Sequence, residues 1–228
     1  MIEFLFLDLD DTILDFQKSE KLALSKTLRS LGVTPTDEVC DLYSRINLSY
    51  WKRLERKELT RDQVLVGRFE ALFRQLAVVT DAAAAADCYA ENLGIGHYFI
   101  PGAEETVQAL HGRYKLYLAS NGTASVQSGR LKSADIGKYF DDIFISQNMG
   151  ADKPDIRFFQ EAFRRIGNFD PARAMIVGDS LTSDILGGIH AGIRTCWFNF
   201  RGREADPAIC PDHVITDIRE LIPLLESL

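Results

Sequence analysis

Two groups of carboxylates stand out, each at the end of a short apolar run. Asp8-Leu9-Asp10-Asp11-Thr12 follows Phe4-Leu5-Phe6-Leu7, and Gly178-Asp179-Ser180-Leu181-Thr182-Ser183-Asp184 follows Met175-Ile176-Val177. Paired acids of this kind can divide nucleophilic and acid–base work, or hold a cation. Ser120-Asn121-Gly122 follows a third run, Leu116–Ala119. A hydroxyl and free amides in a glycine turn suit a phosphate oxygen. Lys153-Pro154 reads as the start of a helix with a cation at its positive end, a place that attracts anions. Taken alone, each signal is common. An Asp-rich turn often caps a helix, and a lone lysine is usually a solvated charge. A calcium loop starting at Asp8 is excluded, because Ile13 stands where that loop needs glycine and Ser19 where it needs glutamate.

The elements around these residues explain why they matter together. Phe4–Leu7, Leu116–Ala119, Ile143–Ile145, Met175–Val177 and Thr195–Phe198, with Val214-Ile215 as a short sixth, are continuous apolar runs. Such runs fit strands covered on both faces. Helical patterns alternate with them at Ala103–Leu110, Pro154–Ile166 and Asp184–Ala191. The alternation predicts an α/β fold with a Rossmann-like parallel sheet. From about 16 to 97 there is no convincing strand. Thr34-Pro35-Thr36-Asp37 reads as an N-cap, a first-turn proline and an acid, and Thr60-x-x-Gln63 as a capping box. Thr80 and Asp81 lead an alanine-rich helix. The expected division is a core of 1–15 and 98–228 with an inserted all-helical block at 16–97.

In a parallel sheet the carboxyl ends of the strands share one edge, where ligands bind. Asp8, Asp10, Asp11, Asp179 and Asp184 would then crowd together and repel unless a cation sat among them. Hard oxygen donors with room for water point to Mg²⁺. If the first strand ran on past Leu7, residues 8 and 10 would share a face. The formal net charge of −7 argues against bulk attraction to nucleic acid or an anionic membrane. Cys40, Cys88, Cys196 and Cys210 form no metal or CxxC pattern, so reduced thiols and a cytoplasmic setting are expected. The N-terminus lacks the basic region of a signal peptide, and no apolar stretch is long enough to span a bilayer.

The four clusters, in this order, resemble the motifs of the haloacid dehalogenase (HAD) superfamily: Asp8-x-Asp10-x-Thr12, Ser120, Lys153 and Gly178-Asp179-x-x-x-x-Asp184. The helical insert falls where that family places a helical cap. The resemblance implies a phosphatase in which Asp8 is the nucleophile and Asp10 the acid and base. It implies Mg²⁺ on Asp8, the Asp10 carbonyl and Asp179, with Asp184 acting through water or orienting the loop and Thr12 in support. Ser120, Asn121 and Lys153 would hold the phosphoryl oxygens. Asp at position 10 separates this chain from the metal-free dehalogenase branch.

Phe6–Thr12 with Asp15-Phe16, Gly67-Arg68-Phe69, Ser183–Gly192 and Thr195–Asn199 look like the bacterial noncanonical pyrimidine 5′-nucleotidases. That likeness implies a nucleoside monophosphate as substrate, with Asn47, Tyr50 and Trp51 as candidates to meet the base. A sugar-phosphate or phosphoglycolate phosphatase, a β-phosphoglucomutase-like phosphomutase, and a non-catalytic module that binds phosphorylated ligands are the other readings. The sequence leaves monomer and homodimer open.

Overall fold

The apolar runs pair into one parallel sheet because each can bury both faces. The computed structural model describes residues 1–228. Strands β1 (Phe4–Leu7), β2 (Lys115–Ser120), β3 (Asp142–Ile145), β4 (Ala174–Gly178), β5 (Arg194–Phe198) and β6 (His213–Ile215) lie in the order β3-β2-β1-β4-β5-β6. The register sets Leu7 beside Leu118 on one side and Val177 on the other. The residues just after β1 and β4, and the last residues of β2, therefore meet at one edge.

Alternation along β1 sorts the two apolar layers. Leu5 and Leu7 join Leu116, Leu118, Met175 and Val177 beneath helices α5 (Ala103–Leu110) and α10 (Leu221–Glu226). Phe4 and Phe6 face the other way, with Tyr117, Phe144 and Ile176 against Phe158 and Phe159 of α8 (Ile156–Ile166). This second layer is aromatic: the Phe6 and Tyr117 rings stack at 5.3 Å, and Phe163 and Phe169 at 4.1 Å.

The chain divides into two compact units, Met1–Phe16 with His97–Leu228, and Gln17–Gly96. The second is helical. It holds most of α1 (Phe16–Ser30), then α2 (Asp37–Glu55), α3 (Arg61–Gln75) and α4 (Ala82–Gly94). Thr60 and Gln63 form the expected capping box, and Asp81 caps α4 through the amides of Ala83 and Ala84. The cap of α2 is Thr36, not Thr34. The Thr36 hydroxyl accepts from the Val39 amide, so Pro35 lies before the helix rather than in its first turn. No helix is long and apolar enough to cross a membrane.

Inside the helical unit, Tyr43, Phe69 and Tyr89 pack their rings 5.1 to 5.5 Å apart. A buried polar chain runs beside them. The Asn47 amide donates to Glu20 at 2.6 Å and accepts from Arg68 at 2.8 Å. The Arg68 guanidinium also lies 4.9 Å from the centre of the Tyr89 ring. Asn47 was a candidate for base contact, but both ends of its amide are committed to the helical interior. Replacing it with Leu is expected to cost about 2–3 kcal/mol, since two bonds to buried charged groups are lost. Urea unfolding would measure this; a loss below about 0.5 kcal/mol would deny the chain its structural role.

Candidate active site

Asp8 is the first residue beyond β1, and its amide donates to the Val177 carbonyl at 3.0 Å. The strand does not continue to residue 10. Asp11 takes a left-handed backbone (φ 56°), and the amides of Ile13 and Leu14 turn back onto the Leu9 carbonyl at 3.0 and 2.9 Å. The turn, rather than strand alternation, decides where each acid points. Asp tolerates this conformation better than most side chains. Asp11 also caps the entry to α1, accepting from the Phe16 amide at 3.0 Å.

Three carboxylates converge. Oxygens of Asp8, Asp179 and Asp184 all lie within 4.8 Å of one another. Asp8 and Asp184 are buried, and Asp179 is partly so. Asp179 leaves β4, and its carbonyl accepts from the Trp197 indole at 2.9 Å. Asp184 returns on a π-helical turn (Leu181–Ile185) that precedes α9 (Leu186–Ala191), so the expected helix from Asp184 begins later. The Ser180 amide donates to Asp184 at 3.0 Å.

Lys153 completes the cluster. It is 1 % exposed, and its ammonium donates to Asp8 at 2.8 Å, to Asp184 at 2.6 Å and to the Ala119 carbonyl. It does not open a helix. The Lys153–Pro154 peptide is cis, and Asp155 caps α8, accepting from the Arg157 amide. Lys153 is held instead by Asn121. The Asn121 amide donates to the Lys153 carbonyl and its oxygen accepts from the Lys153 amide, both at 2.8 Å. The Asn121 side chain thus fixes the lysine loop. Ser120, the last residue of β2, accepts from the Gly122 amide at 3.1 Å. Thr12 reaches Asp8 only at 3.5 Å, a weak contact.

Asp10 is held separately from these three carboxylates. Its carboxylate accepts from Gln127 at 2.6 Å and is paired with the Arg130 guanidinium, both on α6 (Ala124–Ala134). Two further arginines come from the segment after β5. Arg203 donates to Asp179 at 2.6 Å, and Arg201 to Asp11 at 3.0 Å. None of these four was singled out in the sequence. The one available signal was Gln127 and Arg130 at i,i+3 between apolar Val126 and Leu131. Of the remaining base-contact candidates, Tyr50 lines a shallow groove between α2 and α3 with Leu42, Arg45 and Gln75. The Arg61 guanidinium lies 5.4 Å from the centre of the Trp51 ring.

The electrostatics call for a cation. Burial pushes the Asp8 carboxyl well above its usual range, and Asp184, Asp10 and Asp179 add to this against the pull of Lys153. Burial, then Asp184, pushes Asp179 up to about 7, despite Arg203 beside it. Burial disfavours the Lys153 charge, yet Asp184 and Asp8 outweigh it and raise its pKa. Three hard oxygen donors in a crowded anionic cluster fit Mg²⁺.

A raised carboxylate pKa means that the folded chain holds a proton the unfolded chain has lost. Stability therefore falls as pH rises between the ordinary 3.8 and about 7 for Asp179, whose charged neighbours are Asp184, Arg203, Asp11, Asp8 and Lys153. In chelator, the wild type is expected to lose stability relative to Asp179→Asn between about pH 5 and about pH 7.5. Mg²⁺ at the upper pH should reverse the loss by binding only the folded state. Urea midpoints would show this; a rise with pH relative to the variant would contradict it.

A parallel sheet carrying an acidic cluster and a buried lysine at its carboxyl edge defines a class of hydrolase. The chain belongs to the haloacid dehalogenase-like hydrolases, whose family model matches residues 2–192. It is similar to the HAD-hydrolase YfnB of Bacillus subtilis, at 37% identity over 97% of this chain and 94% of that protein. A crystal structure of YfnB bound to magnesium, described as revealing interdomain movement, superposes with a TM-score of 0.94 over 98% of both chains at 36% identity. The pyrimidine 5′-nucleotidase PynA of Streptococcus pneumoniae is 33% identical, over 99% of this chain and 95% of that one. The pyrimidine 5′-nucleotidase YjjG of Escherichia coli is 31% identical, over 98% and 97%.

Proposed function

We propose that this hydrolase removes phosphate from pyrimidine nucleoside monophosphates through a phosphoryl group carried on Asp8. The observation that carries this reading is the junction of Asp8 with Lys153 and two further carboxylates, with a second, separately held acid at Asp10. PynA and YjjG, related over nearly the whole chain, support the substrate class. The four free cysteines suit a reducing cytoplasm.

An Asp8 oxygen attacks phosphorus and the ester P–O bond breaks. The departing alkoxide takes a proton from Asp10, giving the free nucleoside and an aspartyl phosphate. Water then attacks phosphorus, gives its proton to Asp10, and releases inorganic phosphate from a regenerated Asp8 carboxylate. Lys153 and Ser120 hold the phosphoryl oxygens as charge spreads over them. The Asn121 side chain serves by tying down Lys153. Mg²⁺ would be held by the Asp8 and Asp179 carboxylates and the Asp10 carbonyl, and would supply charge neutralisation. Asp184, which accepts from Lys153 and the Ser180 amide, would act through water or orient the loop. The choice among leaving groups is assigned to the helical residues 16–97.

The test is phosphate release from dUMP, dTMP, UMP, AMP, phosphoglycolate and sugar phosphates, with Mg²⁺ and with EDTA. Mg²⁺-dependent release that prefers the pyrimidine nucleotides is expected. Preference for sugar phosphates or phosphoglycolate would overturn the substrate class and leave the chemistry standing. Equal release in EDTA would overturn the metal assignment.

A further inference from the structure

Helix α6 carries two buried polar side chains where an ordinary packing helix would place apolar ones. Val126 and Leu131 are buried, and between them Gln127 and Arg130 are 1 % and 0 % exposed. Burying such groups is costly unless each finds a partner. Both find theirs at the reacting edge of the sheet. The Gln127 amide donates to Asp10 at 2.6 Å and to the Ser120 hydroxyl at 2.8 Å, and its oxygen accepts from Arg130 at 3.1 Å. Arg130 pairs with the other Asp10 oxygen. Its guanidinium also lies 5.9 Å from the centre of the Phe16 ring. Asp10 itself keeps 29 % of its side chain exposed, so the acid is held by α6 without being sealed off from solvent. Room for this grip is made by Gly122, where an added Cβ would stand 2.2 Å from the Gln127 amide nitrogen.

We propose that Gln127 and Arg130 are positioning residues that aim the Asp10 carboxyl at the leaving group and lock it to Ser120. The proposal rests on the acid–base reading of Asp10 given above. The Gln127 amide donates to Asp10 and Ser120, and the Arg130 ion pair is with Asp10, whereas the carboxylate cluster is formed by Asp8, Asp179 and Asp184. Loss of Arg130, whose ion pair is with Asp10, should therefore weaken proton delivery and spare the attack by Asp8. That separates them from a packing pair, whose loss would weaken every step together.

The experiment compares leaving groups in the Mg²⁺-loaded full chain. With p-nitrophenyl phosphate the phenolate departs without a proton, and its pre-steady-state burst reads transfer to Asp8. With dUMP the alkoxide needs a proton, and multiple-turnover release reads the whole cycle. For Arg130→Met, the burst rate is expected to stay within about threefold of wild type while dUMP turnover falls about hundredfold. Gln127→Leu should cut dUMP turnover more than the burst, with some loss in the burst through its bond to Ser120, and serves if Arg130→Met fails to fold. Arg130→Lys should recover at least about tenfold of the lost dUMP turnover, since the ion pair can re-form. An equal fall in both readings, or no fall in dUMP turnover, would overturn the proposal. Asp10→Asn is measured alongside. If it lacks the leaving-group selectivity, the acid–base reading itself falls and takes the proposal with it. If only the α6 variants lack it, that reading stands and the positioning role is refuted.

Discussion

Asp8→Asn is expected to lower phosphomonoester turnover by on the order of 10⁵-fold, the scale on which removing a catalytic nucleophile acts. The amide is nearly the shape of the carboxylate, so its oxygen can still accept from Lys153 where Asp8 accepts at 2.8 Å. It cannot attack phosphorus. The substitution also removes one negative charge from a cluster that burial and three other acids already disfavour. In chelator the variant should therefore unfold at the same urea concentration as wild type or a higher one. Steady-state turnover and a denaturation curve, taken together, separate lost chemistry from lost fold. Turnover within about tenfold of wild type would remove Asp8 as the nucleophile.

Lys153→Met should damage the fold as well as the chemistry. All three ammonium donors are committed, two to carboxylates and one to the Ala119 carbonyl, in a side chain that is 1 % exposed. Methionine fills similar space and leaves Asp8 and Asp184 facing each other without a cation. Removing one partner from a buried charge group costs about 3–5 kcal/mol. That loss is expected in urea unfolding at about pH 8 in EDTA, and should shrink as pH falls, because protonating the orphaned acids relieves them. Mg²⁺ should recover part of it by supplying positive charge to the same carboxylates. Activity should fall about 10²–10³-fold, the cost of losing a donor aimed at developing charge. A stability loss below about 1 kcal/mol would show that the three acids are balanced without the lysine.

Much of the fold could be read from the chain because its strands are short, apolar and each followed by a polar turn. Phe4–Leu7 and Met175–Val177 carried that signal without ambiguity, and the observed strands differ only by a residue or so at their ends. The clustering of Asp8, Asp179, Asp184 and Lys153 followed from one property of parallel sheets, that strand ends share an edge. Details within turns were harder. Lys153-Pro154 carries the composition of a helix start, but Asp155 takes the cap and Lys153 stays in the loop. Thr34 and Thr36 are equivalent on paper, and only the reach to the Val39 amide separates them. Asn47 offered a polar amide for a base, yet Glu20 and Arg68 claim both of its ends.

The residues that escaped notice share a physical reason. Gln127, Arg130, Arg201 and Arg203 are long side chains on elements distant in sequence from the acids they meet. A glutamine and an arginine on a helix ordinarily face water. Their apolar neighbours Val126 and Leu131 are the one local sign that Gln127 and Arg130 are buried, and their partner Asp10 comes from the distant turn after β1.

The most direct test of the account is to look for the phosphoryl group on Asp8. Enzyme turning over dUMP with Mg²⁺ is quenched in acid and the acyl phosphate reduced with borohydride, which converts a phosphorylated aspartate to homoserine. Peptide mass analysis then reads position 8. Homoserine at residue 8, absent without substrate and absent in Asp8→Asn, is the predicted result. Steady phosphate release with unmodified Asp8 at every quench time, or homoserine at Asp10 or Asp179 instead, would contradict it.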